Sequence, residues 1–210
     1  MFDQPYVLRY NAVCGVDEVG RGPMAGPLVA AAVLFDRVYP ALEVNDSKQV
    51  SARRRETLCQ EIIASALAWG VGVVETAEMS SCSMHQATFL AMRRAVGAMR
   101  RDPPVLLVDG IWVIPGTFPF PQEAIIGGDA KSASIAAASI LAKVTRDRRM
   151  GELDGVYPGY GFARHKGYCT PEHQQALLRL GPSPEHRTRF APVRACHEQL
   201  SLLEAQRRTR

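Results

Sequence analysis

Two adjacent carboxylates, Asp17 and Glu18, stand directly before a Gly20-Arg21-Gly22 turn in this chain. Residues 12–16, which precede them, are small and apolar and predict a buried strand that ends at the acidic pair. Burial of two negative charges at a sheet edge is costly unless a cation compensates them. Arg21 and the glycine N–H groups beside it are donors suited to phosphate. Carboxylates for a metal next to donors for a phosphodiester indicate a metal-dependent nuclease, although Asp-Glu alone is also typical of a strand end before a solvated turn.

Two further carboxylates occupy similar positions. Asp109 ends a second apolar run and is followed by glycine, and Asp129 follows a Gly-Gly pair just before a predicted helix. Asp129 therefore suits either a helix cap or a fourth metal ligand. Four carboxylates cannot all ionise in one pocket without cations, and Mg²⁺ or Mn²⁺ takes oxygen ligands. Two such ions ~3.5–4 Å apart would activate a water and stabilise the leaving 3′-oxygen of a phosphodiester.

Positive charge is concentrated in the C-terminal third. The net charge is +4, and residues 146–210 hold 12 Lys and Arg against 7 Asp and Glu, whereas the rest of the chain holds 13 against 14. This distribution predicts a polyanionic partner such as nucleic acid, while a solvated basic helix is the alternative for residues 206–210. Lys48 lies in an Asp-Ser-Lys loop that suits either a phosphate contact or an exposed turn.

The composition predicts a soluble globular protein. The chain has 210 residues, of which 47% are hydrophobic and 22% charged, so we expect one domain of ordinary size or a domain with a small appendage. No apolar run approaches the ~20 residues of a membrane span, and the N-terminus lacks a secretion signal. The five widely spaced cysteines are typical of reduced thiols. We therefore expect a cytoplasmic protein without a membrane contact, acting as a monomer.

The apolar runs and helical patterns predict an α/β fold with a mixed sheet covered by helices on both faces. The predicted strands are residues 13–16, 28–35, 70–75, 105–108 and 124–126. The predicted helices of the sheet domain are residues 51–69, 83–99 and 132–149. After residue 150 an aromatic loop precedes predicted helices at 171–180 and 194–207. We therefore divide the chain into a catalytic domain (1–150) and a C-terminal loop and helical region (151–210) that packs on it.

The chain resembles the bacterial ribonuclease HII family, the type 2 ribonucleases H, from about residue 13 to residue 194. The matching blocks are residues 15–23 (GVDEVGRGP), 45–48 (NDSK), 108–110 (VDG), 128–132 (GDAKS), 136–144 (AAASILAKV), 160–168 (YGFARHKGY) and 181–187 (GPSPEHR). The resemblance implies a ribonuclease H-like fold with a central mixed five-stranded sheet, flanking helices and a small C-terminal helical region. It also implies an endonuclease that cuts the RNA strand of RNA–DNA hybrids and nicks 5′ to single ribonucleotides in duplex DNA. The products implied carry a 5′-phosphate and a 3′-hydroxyl.

The resemblance also assigns roles to individual residues. Asp17, Glu18, Asp109 and Asp129 match the acidic residues that bind two divalent ions, Mg²⁺ or Mn²⁺. The residues of the Gly20-Arg21-Gly22 turn match a motif whose backbone reads the ribose 2′-OH, the group that distinguishes RNA from DNA.

Predicted substrate contacts also lie in the C-terminal third. Tyr168 matches the tyrosine that packs on the following deoxyribose, although a core tyrosine is the alternative. Arg164, His165 and Lys166 are predicted to contact phosphates without reading sequence.

Three other classes of protein are weaker interpretations. A non-catalytic nucleic-acid-binding module would leave the acidic strand ends unexplained, and a metal-dependent phosphatase would leave the Gly-Arg-Gly turn unexplained. The related ribonuclease HIII family usually carries an extra N-terminal domain, for which the ~14 residues before Gly15 are too few. Residues 111–114 are more apolar than the family pattern, and a sliding-clamp contact cannot be predicted from the tail.

Overall fold

The computed structural model describes residues 2–37 and 51–208, apart from the side chains of residue 200 and of residues 203–208. Lys48, a predicted phosphate contact, lies outside the described residues. Along the described chain no helix is both long enough and apolar enough to cross a membrane.

A five-stranded mixed sheet forms the centre of the fold. Its strands are β1 (Val13–Val19), β2 (Leu28–Phe35), β3 (Ala68–Val74), β4 (Leu106–Asp109) and β5 (Gln122–Ile125). The spatial order is β3-β2-β1-β4-β5. The first three strands pair antiparallel, whereas β1, β4 and β5 run parallel. The predicted ribonuclease H-like sheet is confirmed.

Helices cover both faces of the sheet. They are α1 (Gln4–Tyr10), α2 (Ala52–Ser65), α3 (Thr76–Met79), α4 (Met84–Gly97), α5 (Ala133–Val156), α6 (Phe162–His165), α7 (Pro171–Leu180) and α8 (Ala191–Arg208). Buried side chains of α4 pack on one face, and those of α2 and α5 pack on the other. This placement puts β1 between α4 and α5.

Several elements differ from the sequence-based expectation, among them the end of α2 and the whole of α1. The helix predicted over residues 51–69 ends at Ser65, because Ala68 and the residues after it pair with β2 and belong to β3. The short helix α1 carries no clear apolar periodicity and was not predicted. It is tied to the core where the carboxylate of Asp3 accepts a hydrogen bond from the N–H of Ser134, 2.8 Å away, at the start of α5. Long-range pairing therefore decided both segments.

The C-terminal region folds back onto the turn that follows β1. The N–H of Met24 donates to the carbonyl of Gly167, and the N–H of Arg187 donates to the carbonyl of Met24, each over 2.9 Å. Helix α5 continues past residue 150 to residue 156, so one helix joins the sheet to this region. The division of the chain at residue 150 stays a prediction.

Close packing of α5 on β1 sets the depth of the acidic pair. A Cβ atom on Gly15 would lie only 2.1 Å from the backbone of Ser134, so glycine is required where α5 meets the strand. Side chains alternate along a strand. Asp17 therefore points to the α5 face, as Gly15 does, and Glu18 points to the α4 face, as Val16 does.

Candidate active site

Four carboxylates line one cavity of about 350 Å³ at the end of the sheet, which we call the acidic cavity. Asp17 and Glu18 come from β1, Asp109 ends β4, and Asp129 lies in a 3₁₀ turn just before α5. Because β1 and β4 are parallel and in register, their carboxyl ends meet at the same sheet edge. The structure therefore brings together the four acidic residues predicted from the sequence.

Burial and neighbouring negative charge raise the pKa values of the two carboxyl groups on β1, those of Asp17 and Glu18. The carboxyl group of Asp17 is buried, and this burial, followed by the charges of Glu18 and Asp109, raises its pKa well above the ordinary value. Burial also raises the pKa of Glu18, although a hydrogen bond from Arg21 opposes the shift. The guanidinium of Arg21 donates to Oε1 of Glu18 over 3.2 Å. A positive charge in the cavity would lower both pKa values and favour the carboxylate forms.

The other two carboxylates lie next to Gly128, at the end of β4 and in the 3₁₀ turn. Oδ1 of Asp109 accepts a hydrogen bond from the N–H of Gly128, 2.6 Å away. Asp129 is buried beside that glycine. The helix cap of α5 is Ser132, whose hydroxyl accepts from the N–H of Ile135 over 3.2 Å. The capping interpretation of Asp129 is therefore wrong, and its side chain lines the acidic cavity instead.

The donor set fits a hard divalent cation. Its four acidic groups offer only oxygen atoms, which Mg²⁺ and Mn²⁺ prefer, and these ions retain water ligands when bound. Within residues 2–37 and 51–208, no group of three or more His, Cys, Asp or Glu side chains forms a ready metal cage. The carboxylates share a cavity rather than a single point, which leaves room for metal-bound water.

Three polar side chains of the acidic cavity were not singled out from the sequence. Ser139 hydrogen-bonds Asp17, and Lys143 and Arg55 bring positive charge to the same cavity. Ser139 and Lys143 are four residues apart on α5, so helical spacing puts them on one face. This four-residue spacing, within the block 136–144 that matches the family, could have identified Ser139 and Lys143 from the sequence.

The Gly-Arg-Gly turn lies against Tyr168. A Cβ atom on Gly22 would lie 3.7 Å from Cε1 of Tyr168, an ordinary contact distance, so backbone and ring face each other across a narrow space. The Tyr168 side chain is 45% exposed and also lines the acidic cavity. The core-tyrosine interpretation is therefore wrong. Gly20 differs from Gly22, because its φ is +99° and a Cβ there would lie 2.5 Å from Nε of Arg146.

Arg187, a buried arginine, holds the Gly-Arg-Gly turn and the residues that follow it. Its guanidinium donates to the carbonyl of Gly26 at 2.6 and 3.0 Å, to that of Pro27 at 3.2 Å and to that of Arg21 at 3.3 Å. Burial lowers its pKa to about 9. The turn therefore takes its shape from a side chain 160 residues or more away in sequence.

Arg146, which is fully buried, joins the same turn to the Tyr168 loop (residues 166–170). It donates to the carbonyls of Pro27 and Lys166, each at 2.9 Å, and to that of Ala25 at 3.2 Å. Arg146 and Arg187 thus set the spacing between the turn and the loop. Sequence reasoning missed both arginines, because nothing in a charged residue's type marks it as buried.

The three predicted phosphate contacts have different surroundings. Arg164 is exposed and pairs with Glu172, and the ammonium group of Lys166 donates to the carbonyl of Asp147 over 3.3 Å. His165 is buried. Its Nε2 is 2.8 Å from the carbonyl of Tyr160, and its Nδ1 accepts from the N–H of Gly167 over 3.2 Å. Both ring nitrogens of His165 are therefore engaged within the protein.

Comparison with known proteins agrees with this geometry. The family model described as Ribonuclease HII matches residues 14–193. Ribonuclease HII of Geobacillus kaustophilus is 52% identical over 191 residues, covering 90% of this chain and 72% of that protein. Ribonuclease HII of Halorhodospira halophila is 53% identical over 184 residues, covering 87% and 93%.

Solved structures share the fold. Ribonuclease H2 from Pyrococcus horikoshii superposes with a TM-score of 0.77 at 29% identity, covering 90% of this chain and 98% of that one. A ribonuclease HIII in complex with Mn²⁺, designated Bst-RNase HIII, superposes with a TM-score of 0.72 at 20% identity, covering 89% and 69%. With its acidic residues gathered at the sheet edge, the chain belongs to the ribonuclease HII family of metal-dependent endoribonucleases that act on RNA–DNA hybrids.

Proposed function

We propose that the acidic cavity hydrolyses a phosphodiester with two divalent ions, Mg²⁺ or Mn²⁺, held by Asp17, Glu18, Asp109 and Asp129. The proposal is supported by the all-oxygen donor set and by the raised pKa values of Asp17 and Glu18, because burial and neighbouring carboxylates disfavour their charged forms until a cation binds. When bound, such ions lower the pKa of a coordinated water and stabilise the leaving oxygen. The expected products are a 5′-phosphate and a 3′-hydroxyl.

The side chains around the carboxylates orient the reacting groups. Ser139 holds the carboxyl group of Asp17, and the N–H of Gly128 holds that of Asp109. Lys143 and Arg55 bring positive charge to the cavity wall, where the substrate phosphate would lie. These groups position the carboxylates before the substrate arrives, which reduces the reorganisation needed during the reaction.

We further propose that the enzyme nicks 5′ to a single ribonucleotide in duplex DNA. The carrying observation is that Gly22 faces the Tyr168 ring beside the acidic cavity. Backbone groups of the Gly-Arg-Gly turn can approach a ribose because Gly22 has no side chain. Tyr168 then offers an aromatic face to the next sugar, and a deoxyribose fits there without the 2′-OH.

Phosphate contacts are proposed for Arg164 and Lys166 in the C-terminal region. Arg164 is exposed just before the Tyr168 loop, and Lys166 is half-buried at the first position of that loop. Phosphate contacts there would position a duplex without reading its sequence. His165 is better assigned to holding the loop, because both of its ring nitrogens are engaged. Lys48 remains a predicted phosphate contact.

Monomeric action in the cytoplasm is proposed as well. The five cysteines are free thiols, as expected of a reducing compartment. Size-exclusion chromatography with light scattering tests the monomer, for which a mass near 23.0 kDa is expected.

A duplex with one ribonucleotide tests the proposed function. In Mg²⁺ or Mn²⁺ the enzyme should cut 5′ to the ribonucleotide, and EDTA should stop the reaction. A cut at another position, or cleavage in EDTA, would contradict the proposal.

Variants of Gly22 and Tyr168 test ribose recognition. Gly22→Ala should lower the rates on this duplex and on a long RNA–DNA hybrid by about tenfold or more, because its Cβ would occupy the space for the sugar. The fold tolerates that Cβ, so thermal stability should not change. Tyr168→Ala should impair the one-ribonucleotide duplex more than the hybrid, and Tyr168→Phe, the control, should retain the parent preference. An equal loss on both substrates for Tyr168→Ala would remove the proposed sugar contact.

A further inference from the structure

Three exposed apolar residues lie beside the acidic cavity and have no role in the site described so far. Ile111, Trp112 and Val113 are 62%, 60% and 44% exposed. They follow Asp109 and Gly110 directly, so they extend from the end of β4. Water-exposed apolar side chains grouped at a functional edge are typical of a binding surface.

Hydrogen bonds hold this apolar segment at both ends. The N–H of Gly110 donates to the carbonyl of Ile125 over 3.0 Å. At the other end, the side-chain amide of Gln122 exchanges two hydrogen bonds with the backbone of Ile114, at 3.1 and 3.2 Å. Ile114 itself is buried in the core. The exposed side chains are therefore presented from a fixed backbone.

Trp112 forms one wall of a cleft on the α4 side of the sheet, with a volume of about 240 Å³. We call it the α4-side cleft. Phe89 and Met92 of α4 add apolar surface, and Arg21 and His85 add polar nitrogen atoms. The volume lies below the roughly 300–1,000 Å³ of clefts for drug-sized ligands, which favours a single planar group. An aromatic wall with a neighbouring guanidinium is the chemistry that binds a nucleotide.

The α4-side cleft adjoins the acidic cavity, because Glu18 and Asp109 line both. Tyr168 lies in the acidic cavity with the α5 side chains, and Trp112 lies in the cleft with the α4 side chains. Two exposed aromatic rings thus lie on opposite sides of the shared carboxylates. Successive phosphates of one strand are about 3.4 Å apart along the duplex axis. A strand cut at the carboxylates must therefore place its neighbouring nucleotides immediately to either side.

We propose that the α4-side cleft is a nucleotide subsite for the cleaved strand, in which Trp112 packs against the nucleotide on the 5′ side of the cut. This assignment rests on the proposed function, which places the 3′ side at Tyr168. Arg21 would lie near the phosphate of the same strand. The base of this nucleotide would have to leave the helical stack to lie on the indole ring, and because such stacking does not depend on base identity, the subsite adds affinity without sequence preference.

Kinetic measurements that combine Trp112→Ala with substrates lacking one base test the subsite. Trp112→Ala should raise KM by about tenfold on a duplex with one ribonucleotide, with kcat within about twofold. When the nucleotide 5′ to the cut is an abasic deoxyribose, the same variant should raise KM by no more than about twofold, because the stacking partner is already gone. When the abasic residue lies 3′ to the ribonucleotide, the tenfold effect should persist. Trp112→Phe should retain most of the parent affinity.

Fluorescence provides a reading that does not depend on catalysis. The chain has two tryptophans, and the other one, Trp69, lies on the edge strand β3. In a Trp69→Phe variant, the emission of Trp112 should be quenched when the duplex is added without divalent ions. Unchanged emission together with an unchanged KM for Trp112→Ala would overturn the subsite and leave the apolar segment to a protein partner.

The outcomes also separate this inference from the proposed function. If the parent enzyme does not nick 5′ to the ribonucleotide, the proposed function fails whatever Trp112 does. If the parent nicks there but Trp112→Ala has the same effect with and without the 5′ base, only the subsite fails. Because Trp112 is exposed, the variant should keep the parent Tm, which excludes unfolding as the cause.

Discussion

The acidic cavity and the contact between the C-terminal region and the turn after β1 both bury charged side chains, but the surroundings of those side chains differ. In the cavity, carboxyl groups of the same sign crowd together, and burial raises the pKa values of Asp17 and Glu18. Where the C-terminal region meets the turn after β1, the buried guanidiniums of Arg146 and Arg187 each donate to three backbone carbonyls. In the first arrangement Arg21 pairs with Glu18, and we propose that bound divalent ions compensate the remaining negative charge. The second is complete within the protein and holds the backbone in place.

Two buried histidines, His173 and His186, add further hydrogen bonds that reach the Tyr168 loop. Nδ1 of His173 lies 2.8 Å from the carbonyl of Tyr168, and its Nε2 lies 3.1 Å from Nε2 of His186. Nδ1 of His186 accepts from the N–H of Ser183 over 3.0 Å. The chain of hydrogen bonds requires both rings to be neutral, since His186 accepts at one nitrogen and donates at the other. We therefore assign the chemical reaction to the acidic cavity, and the positioning of the turn and the Tyr168 loop to the buried arginines and histidines.

The largest expected effect is on the acidic cavity. Asp109→Asn should lower kcat by more than about a hundredfold in Mg²⁺ or Mn²⁺, because an amide is a poor ligand for a hard cation. The amide oxygen can still accept from the N–H of Gly128, so the fold should be retained. Thermal stability without metal should equal or exceed that of the parent, since one repelling charge is gone. Divalent ions should raise the Tm of the parent more than that of the variant.

Exposed Asp102 provides the control, and Asp102→Asn should keep the parent rate. Activity of Asp109→Asn within tenfold of the parent would contradict the assignment of the acidic cavity.

The next largest effect is expected on the stability of the turn that Arg187 holds. Arg187→Met should lower the free energy of unfolding by about 2 kcal/mol, because the buried carbonyl of Gly26 loses both hydrogen bonds from the guanidinium, whereas the carbonyl of Pro27 keeps the one from Arg146. Arg189 is a matched control two residues away, since it also donates to carbonyls but is exposed and contacts Ser80 and Cys82. Arg189→Met should change stability by less than about 1 kcal/mol. Chemical denaturation measures both, and equal losses would mean that Arg187 has no special part in holding the turn.

The two regions should respond to pH with opposite signs. Burial lowers the pKa values of His173 and His186 to about 4 in the folded protein. Their contribution to stability is therefore complete above the ordinary value of 6.5 and is lost as the pH falls through about 4. For Asp17, whose pKa is raised, the contribution is present at low pH and is lost as the pH rises through the raised pKa.

Thermal melts from pH 7 to pH 4 measure the histidine effect. The parent should lose on the order of 2 kcal/mol over this range, and His186→Asn should lose less because it starts without one of the buried rings. Exposed His197 is the control, and His197→Gln should follow the parent curve. If the stability of His186→Asn fell between pH 7 and pH 4 by as much as that of the parent, the role given to the histidine hydrogen bonds would be contradicted.

The smallest effect is expected at the surface. Arg164→Ala or Lys166→Ala should weaken binding of hybrid and duplex alike and reduce the slope of log K against log salt by about 0.9 for each lost phosphate contact. Fluorescence anisotropy at several salt concentrations measures the slope. Arg179→Ala is a matched control, because Arg179 is exposed in the same region and donates to the carbonyl of Gly159. A slope unchanged by Arg164→Ala and Lys166→Ala would remove both residues from the interface.

Sequence reasoning reached the sheet and the four carboxylates because their signals are local. Apolar runs of strand length mark β1 and β4, and Asp17 and Asp109 each follow such a run. Parallel neighbours place their carboxyl ends together, so chemistry and position could be predicted from the same residues. The family resemblance added the Gly-Arg-Gly turn and Tyr168, which physical arguments alone would not have connected.

Other features depended on contacts between distant segments. The cap of α5 is Ser132 rather than Asp129, and this choice is made where the 3₁₀ turn packs beside β4. His165 was predicted to contact phosphate, but its environment is set by Tyr160 and Gly167. The apolar residues 111–113 were noted as unusual, yet only the position of α4 shows that Trp112 lines a cleft that Glu18 and Asp109 also line.

The sequence by itself therefore determined the reaction class, the acidic residues and the strands that present them, since residue type and local periodicity carry that information. The tertiary structure alone decided how these parts are held. Arg146 and Arg187 are ordinary cations in the sequence, and they become positioning groups because folding buries them against carbonyls from residues 21–27 and Lys166. A buried donor takes its partners from whatever backbone the fold brings within hydrogen-bond distance, and that choice is not encoded near the residue.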